Sequence, residues 1–333
     1  MKILVILTGG TIACSITNDI INVGSDVAYD ILRLYKLNNP NCDVVFDTVQ
    51  PFTILSENHT TSTYNLLIEY LYNCNLSEYN GVIITHGSDT LSYTSALIGM
   101  LWANVKIPVM ITASDYPLSD SYSNGLSNFT ACVEFIKRKV CNGVFTVYGK
   151  LNNAEVYLST RINEADPYTD CFMPFGDGIV AKFNGKELAY INYNLIEEMK
   201  TKSNIQLDMP VLVNDVLLIK NYPTQRFDCY CVDNVSAVVI YMYHSATACT
   251  VGDNTNICSF IQQCLDKKVK VYLASFKLHT KFYESTNVMQ TLPAQKLYNI
   301  SIESAYMKAL IAHNQNKYSP DELMDKNIYF EVQ

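Results

Sequence analysis

Five short and almost uninterrupted apolar runs recur along the first half of the chain, at 3–7, 44–48, 82–85, 108–112 and 143–147. A run that is apolar on consecutive residues has no polar face to turn to water, so each predicts a strand covered on both sides. Helical patterns stand between the runs, at 25–36, 61–75, 90–103 and 126–140. In the second of these, Leu66, Leu67, Tyr70, Leu71 and Cys74 recur at helical spacing and fall on one face. Strands separated by helices of this length are joined by crossovers, which place them parallel and in one sheet. The expectation is an α/β fold, with a parallel sheet and crossover helices.

A chain of 333 residues is longer than one hydrophobic core usually serves, so two domains are expected. From 183 to about 213 the pattern loosens: Asn, Glu, Lys and Tyr dominate, and Pro210 closes the stretch. Alternation then resumes, with strands at 215–220, 236–242 and 269–275 and helices at 256–266 and 302–313. The expected division is a larger N-terminal domain at 1–185, a linker at 186–213 and a smaller C-terminal α/β domain at 214–333.

Charge and cysteine usage narrow the function classes. Lys and Arg number 24 against 32 Asp and Glu, a formal charge of −8, and the densest basic run is only Lys137-Arg138-Lys139. That balance argues against nucleic acid as a partner, because phosphate binding needs clustered cations. Eleven cysteines lie scattered from Cys14 to Cys264, none in CxxC spacing, and Cys229 and Cys231 point to one face of an extended segment. Such usage predicts buried thiols in a reducing, cytoplasmic setting, with no metal site. The apolar start stops at Thr8-Gly9-Gly10, too soon for a signal-peptide core or a membrane span, so no membrane partner is expected.

In parallel α/β sheets, ligands bind beyond the carboxyl ends of the strands, so the residues there are the ones to interrogate. The first strand empties into Thr8-Gly9-Gly10-Thr11-Ile12. Its glycines permit a sharp turn and close backbone approach. GxGxxG is absent and no helix opens here, so this is not a dinucleotide site. Residues 12–23 alternate instead, around Asn18-Asp19, as a hairpin would. The strand at 82–85 empties into His86-Gly87-Ser88-Asp89-Thr90 and a helix follows. Ser88 or Asp89 can cap that helix. Alternatively the helix start favours a bound carboxylate while Asp89 grips an ammonium group, together reading an α-amino acid. His86 is either a base or, as strand-end histidines more often are, a structural hydrogen bonder.

The pair TGGTI at 8–12 and HGSDT at 86–90 resembles the signature pair of the L-asparaginase family. The similarity extends through Ile54-Leu55-Ser56-Glu57-Asn58 and the stretch 114–125, and covers most of the chain. The resemblance implies an amidohydrolase that converts L-asparagine, or a related amino-acid amide, to the acid and ammonia without metal or organic cofactor. It makes Thr11 the nucleophile, and Ser88 with Asp89 a second hydroxyl and its carboxylate. Gly10, Ser56, Glu57, Gly87 and Ser114 fall at substrate-binding positions. Assembly as a homodimer or homotetramer is implied as well.

Two departures stand out. Where the family pattern has a lysine, this chain reads Arg161-Ile162-Asn163-Glu164, so Glu164 takes the lysine's place; no lysine lies between Lys150 and Lys182. Where the family has a hairpin tyrosine, this chain offers Ile20 and Ile21, and Tyr29 comes only later, in a helical pattern. A threonine hydroxyl is a weak nucleophile unless its proton is removed, so loss of the lysine bears directly on turnover. Glu164 can serve as a base if crowding beside Asp89 raises its pKa; the same crowding can instead repel a substrate carboxylate. Two further readings therefore stand beside the enzyme: a catalytically impaired protein that binds a small amino acid, and the asparaginase-like subunit of a transfer-RNA amidotransferase.

Overall fold

The computed structural model describes residues 1–17, 20–23, 27–201, 205–278 and 281–333. The chain forms two compact units, Met1–Pro210 with Ile328–Phe330, and Val211–Asn327 with Glu331–Gln333. The first unit opens with β1 (Lys2–Leu7), the antiparallel hairpin β2 (Cys14–Thr17) and β3 (Ile20–Val23), α1 (Asp30–Asn38), β4 (Val45–Val49) and α2 (Thr61–Asn73). It continues through β5 (Gly81–Thr85), α3 (Leu91–Leu101), β6 (Pro108–Thr112), α4 (Gly125–Lys137) and β7 (Gly143–Lys150). Three further strands and a helix follow: β8 (Asn153–Leu158), β9 (Ile179–Phe183), β10 (Leu188–Ile191) and α5 (Tyr193–Met199). The expected hairpin tip, Asn18-Asp19, and the start of the expected helix at 25–36 fall on 18–19 and 24–26, outside the described residues.

One eight-stranded sheet, ordered β10-β9-β8-β7-β6-β5-β1-β4, carries this unit. Its β7-to-β4 half is parallel, as the apolar runs imply, and β1, β5 and β6 are buried on both faces. The fold is thus α/β with a parallel-dominated sheet. Two details depart from the sequence reading. The run at 44–48 is not a buried strand: β4 lies at the sheet edge against β1 alone, and Val45 is 56% exposed. The other half of the sheet is antiparallel, because Leu151 and Asn152, the latter at φ 61°, fold the chain straight back from β7 into β8. Within 186–213, read as a linker, the chain forms β10 and α5. Their mixed composition reflects a sheet-edge strand with a half-exposed face and a short helix that buries only Leu195, Ile196 and Met199.

Sequence logic is visible in the helices as well. Thr60 caps α2 in a reciprocal capping box with Thr63. Its apolar stripe buries Tyr64, Leu67, Ile68 and Leu71. The crossover helix α3 is buried almost all round, which is why Ser92, Thr94 and Ser95 stand among its buried residues.

The second unit holds β11 (Val216–Lys220), β12 (Ala237–Tyr241), α6 (Ile257–Asp266), β13 (Lys270–Phe276), α7 (Glu284–Gln290), β14 (Gln295–Tyr298), α8 (Ile302–His313) and α9 (Pro320–Asp325). Its four strands form a parallel sheet in chain order, and a core built on Val238, Ile240, Phe260, Ile261 and Leu273 packs against it. Lys308 and Glu331 are both buried here and pair at 2.9 Å. Among the described residues, no helix is long and apolar enough to cross a membrane.

Candidate active site

β1 lies between β4 and β5, so its carboxyl end delivers residues 8–12 beside those that follow β5. The Thr8 hydroxyl donates to the Thr85 carbonyl at 2.6 Å, which uses this first threonine as a structural tie. The Gly10 N–H donates to the Ile54 carbonyl at 2.8 Å, and the Ile54 N–H to the Thr8 carbonyl at 3.2 Å. Gly10 has φ 74° and ψ 179°, a conformation essentially reserved for glycine. A Cβ on Gly10 would lie 2.3 Å from the Gly87 nitrogen, and one on Gly87 2.4 Å from the Ser56 hydroxyl oxygen. Gly10 and Gly87 therefore meet at backbone contact, with the Ser56 side chain against Gly87, from three loops far apart in sequence. Thr11 follows at once, opens a 3-10 turn through Ala13 and is partly exposed.

The residues after β5 divide into structural and available groups. α3 begins at Leu91 with Thr90 as its N-cap, and no side chain caps it. The helix-capping alternative for Ser88 and Asp89 is therefore not realised. Thr90 instead donates its hydroxyl to the Ser56 carbonyl at 3.0 Å, a second tie between the loops that the sequence did not single out. His86 is fully buried and its Nδ1 lies 2.8 Å from the Gly87 carbonyl, so it is the structural hydrogen bonder rather than an exposed base. Ser88 and Asp89 remain, and both line a cavity of about 400 Å³. Burial raises the Asp89 pKa above the ordinary carboxylate value, and the charge of Glu57 raises it further.

The same cavity is lined by Asp115, Tyr116, Tyr148, Glu164, Asp166 and Asp170. Glu164 thus shares a cavity with Ser88 and Asp89, and the Tyr93 hydroxyl donates to its carboxylate at 2.6 Å. The Glu57 charge thus bears on Asp89, and Glu164 shares the cavity with it. A loop holds Glu164 in place: the Asn163 N–H donates to the Met173 carbonyl and the Asp166 N–H to the Cys171 carbonyl. At its base, buried Arg161 donates to the Phe330 carbonyl at 2.6 Å and pairs with Glu198 at 3.3 Å. Among the described residues lining the cavity there is no lysine or arginine. Ser114 does not line it either. Its hydroxyl donates to the Tyr116 carbonyl at 2.6 Å and contacts the Ser123 hydroxyl at 2.9 Å, while its neighbours Asp115 and Tyr116 face the cavity. Among the described residues, no cluster of His, Cys, Asp and Glu has the arrangement to hold a metal ion.

Residues 2–195, well over half of the chain, match the family model of the asparaginase N-terminal domain. The chain belongs to the asparaginase family. An L-asparaginase of Thermococcus kodakarensis is 29% identical over 169 residues, which span 49% of this chain and 48% of that protein. A glutamyl-tRNA(Gln) amidotransferase subunit of Methanobrevibacter smithii is 26% identical over 67% of this chain and 51% of its own length. The chain thus aligns with about half the length of these curated relatives. In fold, the similarity runs end to end. The solved T. kodakarensis L-asparaginase superposes with a TM-score of 0.79 at 19% identity, covering 100% of this chain and 99% of that one. L-asparaginase I of Vibrio cholerae gives 0.78 at 18%, with the same coverage.

Proposed function

We propose that this protein is an amidohydrolase for L-asparagine or a related small amino-acid amide, working in the cytoplasm as a homo-oligomer. The observation that carries the reading is the backbone contact of Gly10 with Gly87, with the Ser56 hydroxyl against Gly87. That contact brings the two family motifs together and leaves Thr11, Ser88 and Asp89 outside the structural hydrogen-bond ties. In the reaction, the Thr11 hydroxyl oxygen attacks the amide carbon and its proton passes to the departing nitrogen. The C–N bond breaks, ammonia leaves, and water then hydrolyses the threonyl ester to acid and free enzyme. In this reading, backbone N–H groups of the two turns that are not bonded within the fold stabilise the oxyanion. Ser88 and Asp89 supply the second hydroxyl and the partner for the substrate ammonium.

A second reading, a binder with impaired turnover, is favoured by the cavity itself, whose described lining residues include Glu164 and no cation. One experiment separates the two. Ammonia release on mixing with asparagine is expected in the wild type and reduced by several orders of magnitude in Thr11→Val, with folding unchanged. Stabilisation by aspartate without any ammonia release would establish the binder, and full activity in Thr11→Val would remove Thr11 from the chemistry.

A further inference from the structure

His59 closes the 3-10 turn at Ser56–Asn58, while His86 follows β5, so the two rings meet only in the folded chain. Their Nε2 atoms are 3.0 Å apart and their rings lie within 4° of parallel. The tautomers follow from the outer partners. A carbonyl only accepts, so His86 Nδ1, at 2.8 Å from the Gly87 oxygen, carries a proton. Neutral His86 then presents a lone pair at Nε2, and His59 must donate its Nε2 proton to it. This leaves His59 Nδ1 as the acceptor facing the Thr63 hydroxyl at 3.1 Å. Tyr64 stacks on His59 with ring centroids 4.6 Å apart, and the edge of Phe52 meets it at 5.8 Å. The far end is equally fixed, because the His86 N–H donates to the Thr112 carbonyl at 2.8 Å.

We propose that His59 is a positioning residue for this site: bonded to His86 as a neutral pair, it clamps the 54–60 segment to the 86–90 segment, and protons added to the pair release the clamp. His86 acts on the Gly87 carbonyl, and Gly87 is the residue against which Gly10 and Ser56 pack. His59 therefore sets the backbone between the Thr11 turn and Ser88 without touching a ligand. This inference rests on the reading of those loops as the substrate site.

The proton count explains the acid sensitivity. One extra proton leaves the hydrogen bonds intact, because the Thr63 hydroxyl can accept from His59 Nδ1 and turn its own proton to the Thr60 carbonyl at 2.8 Å. It does, however, bury a charge. A second proton sets two N–H groups against each other at 3.0 Å and breaks the bond. Burial, then the neighbouring His86, lowers the His59 pKa to about 3. Burial lowers that of His86 to about 4, opposed by its bond to Gly87. Among the described residues, the other titratable group packed on the pair is the Tyr64 phenol, which contacts the Thr94 hydroxyl at 3.2 Å. Among charged residues on the two loops, Glu57 acts on Asp89 and Cys14, and neither Glu57 nor Asp89 shifts the histidines. Both pKa values fall below the ordinary 6.5, so the stability that the neutral pair lends the fold is complete above about pH 6.5 and declines as pH falls below it, while the bond itself breaks only near pH 3, where both rings carry a second proton.

The test uses the full chain and three variants, His59→Gln, His59→Phe and His86→Gln. Histidine side-chain ¹⁵N–¹H spectra, assigned by the signal each His→Gln change removes, should show His86 protonated at Nδ1 and neither ring titrating above about pH 5. Either ring titrating near its ordinary value, or His86 protonated at Nε2 at neutral pH, overturns the clamp. Amide exchange of residues 87–89 should speed up about tenfold in His59→Phe, the equivalent of one net hydrogen bond, and far less in His59→Gln, which keeps a donor and an acceptor. Aspartate, as the bound probe, should weaken about tenfold in His59→Phe at pH 7.5 and recover in His59→Gln. Unchanged exchange in His59→Phe overturns the positioning role. Normal spectra and exchange effects with no aspartate binding in any protein, the wild type included, would instead fault the substrate reading and leave the clamp standing.

Discussion

Gly10→Ala tests the contact on which the site is built. Two costs add at this position. The backbone at φ 74° and ψ 179° lies where a side chain is rarely tolerated, at about 1–3 kcal/mol. The new methyl would also lie 2.3 Å from the Gly87 nitrogen and 2.4 Å from its Cα. Backbone atoms cannot swing aside as a flexible side chain would, so the loops must part, at a further cost of about 1–3 kcal/mol. The sum, roughly 2–6 kcal/mol, is a large share of the 5–15 kcal/mol that usually holds a domain folded. Gly185→Ala is the control: its φ is also positive, 85°, but the added atom meets the Asn152 side chain, with its Cβ at 2.9 Å. The control is expected to cost about 1–2 kcal/mol. Urea unfolding with and without saturating aspartate measures both quantities. Gly10→Ala should lower stability well beyond the control and lose the aspartate-dependent increment, because the site opens even in molecules that remain folded. A Gly10→Ala protein no less stable than Gly185→Ala, with its aspartate response intact, would refute the argument that the two motifs are held by backbone contact.

Three further outcomes are expected. Asp89→Ala should abolish the rise in melting temperature that aspartate gives the wild type by mass action; an unchanged rise would remove Asp89 from the site. Glu164→Lys should raise ammonia release if Glu164 merely fills a vacated position and lower it if the site has been rebuilt around a carboxylate held by Tyr93, whereas no change in rate, pH profile or aspartate affinity from either Glu164→Lys or Glu164→Gln would make Glu164 a bystander. Glu331→Gln leaves the Lys308 charge buried without its 2.9 Å partner and should cost about 3–5 kcal/mol in chemical denaturation, while Lys308→Met with Glu331→Leu together should recover most of that loss; a single variant as stable as wild type would show that the pair carries no buried charge.

The parts of the fold that were legible in the sequence are those where burial on both faces leaves an uninterrupted apolar signal. β1, β5, β6, β7, β12 and β13 all lie where such runs occur. β4 gave the same signal but lies at an edge, because a short run of β-branched residues does not report how many neighbours it will have. β8 to β10 were missed because antiparallel strands need no helix between them, whether short turns join them, at 151–152 and 184–187, or the long loop at 159–178, so the alternation that revealed the parallel half is absent. The one local cue was Leu151-Asn152, with asparagine at the positive φ such a turn demands. At the site, the motif residues were legible because each sits directly after a strand. The His59–His86 bond was not, since the rings come from positions 27 apart and nothing local in either segment announces the other. Ser114 carries a different lesson: its place in the sequence suggested a ligand, and its hydroxyl is bonded within its own loop, beside Asp115 and Tyr116 of the cavity lining.

Hydroxyl accounting sorts the site more sharply than the motif alone. Thr8 spends its proton on the Thr85 carbonyl and Thr90 on that of Ser56; both bonds tie loop to loop. Ser56 fills the space that a Gly87 side chain would need. Each of these polar groups is accounted for by the folded backbone, and replacing any of them would disturb the loops before it disturbed a ligand. Among the described residues, the side chains of Thr11, Ser88 and Asp89 make no such tie, and α3, with Thr90 as its N-cap, starts with no side-chain cap bond. On the proposed reading, these untied side chains at the strand ends are the ones that meet the substrate. Within that reading, Glu164 stands where the family pattern has a lysine; it shares the cavity with Asp89 and accepts a bond from Tyr93. Turnover in the proposed amidohydrolase then depends on whether that carboxylate, held by a phenol, can relay the Thr11 proton to the departing nitrogen.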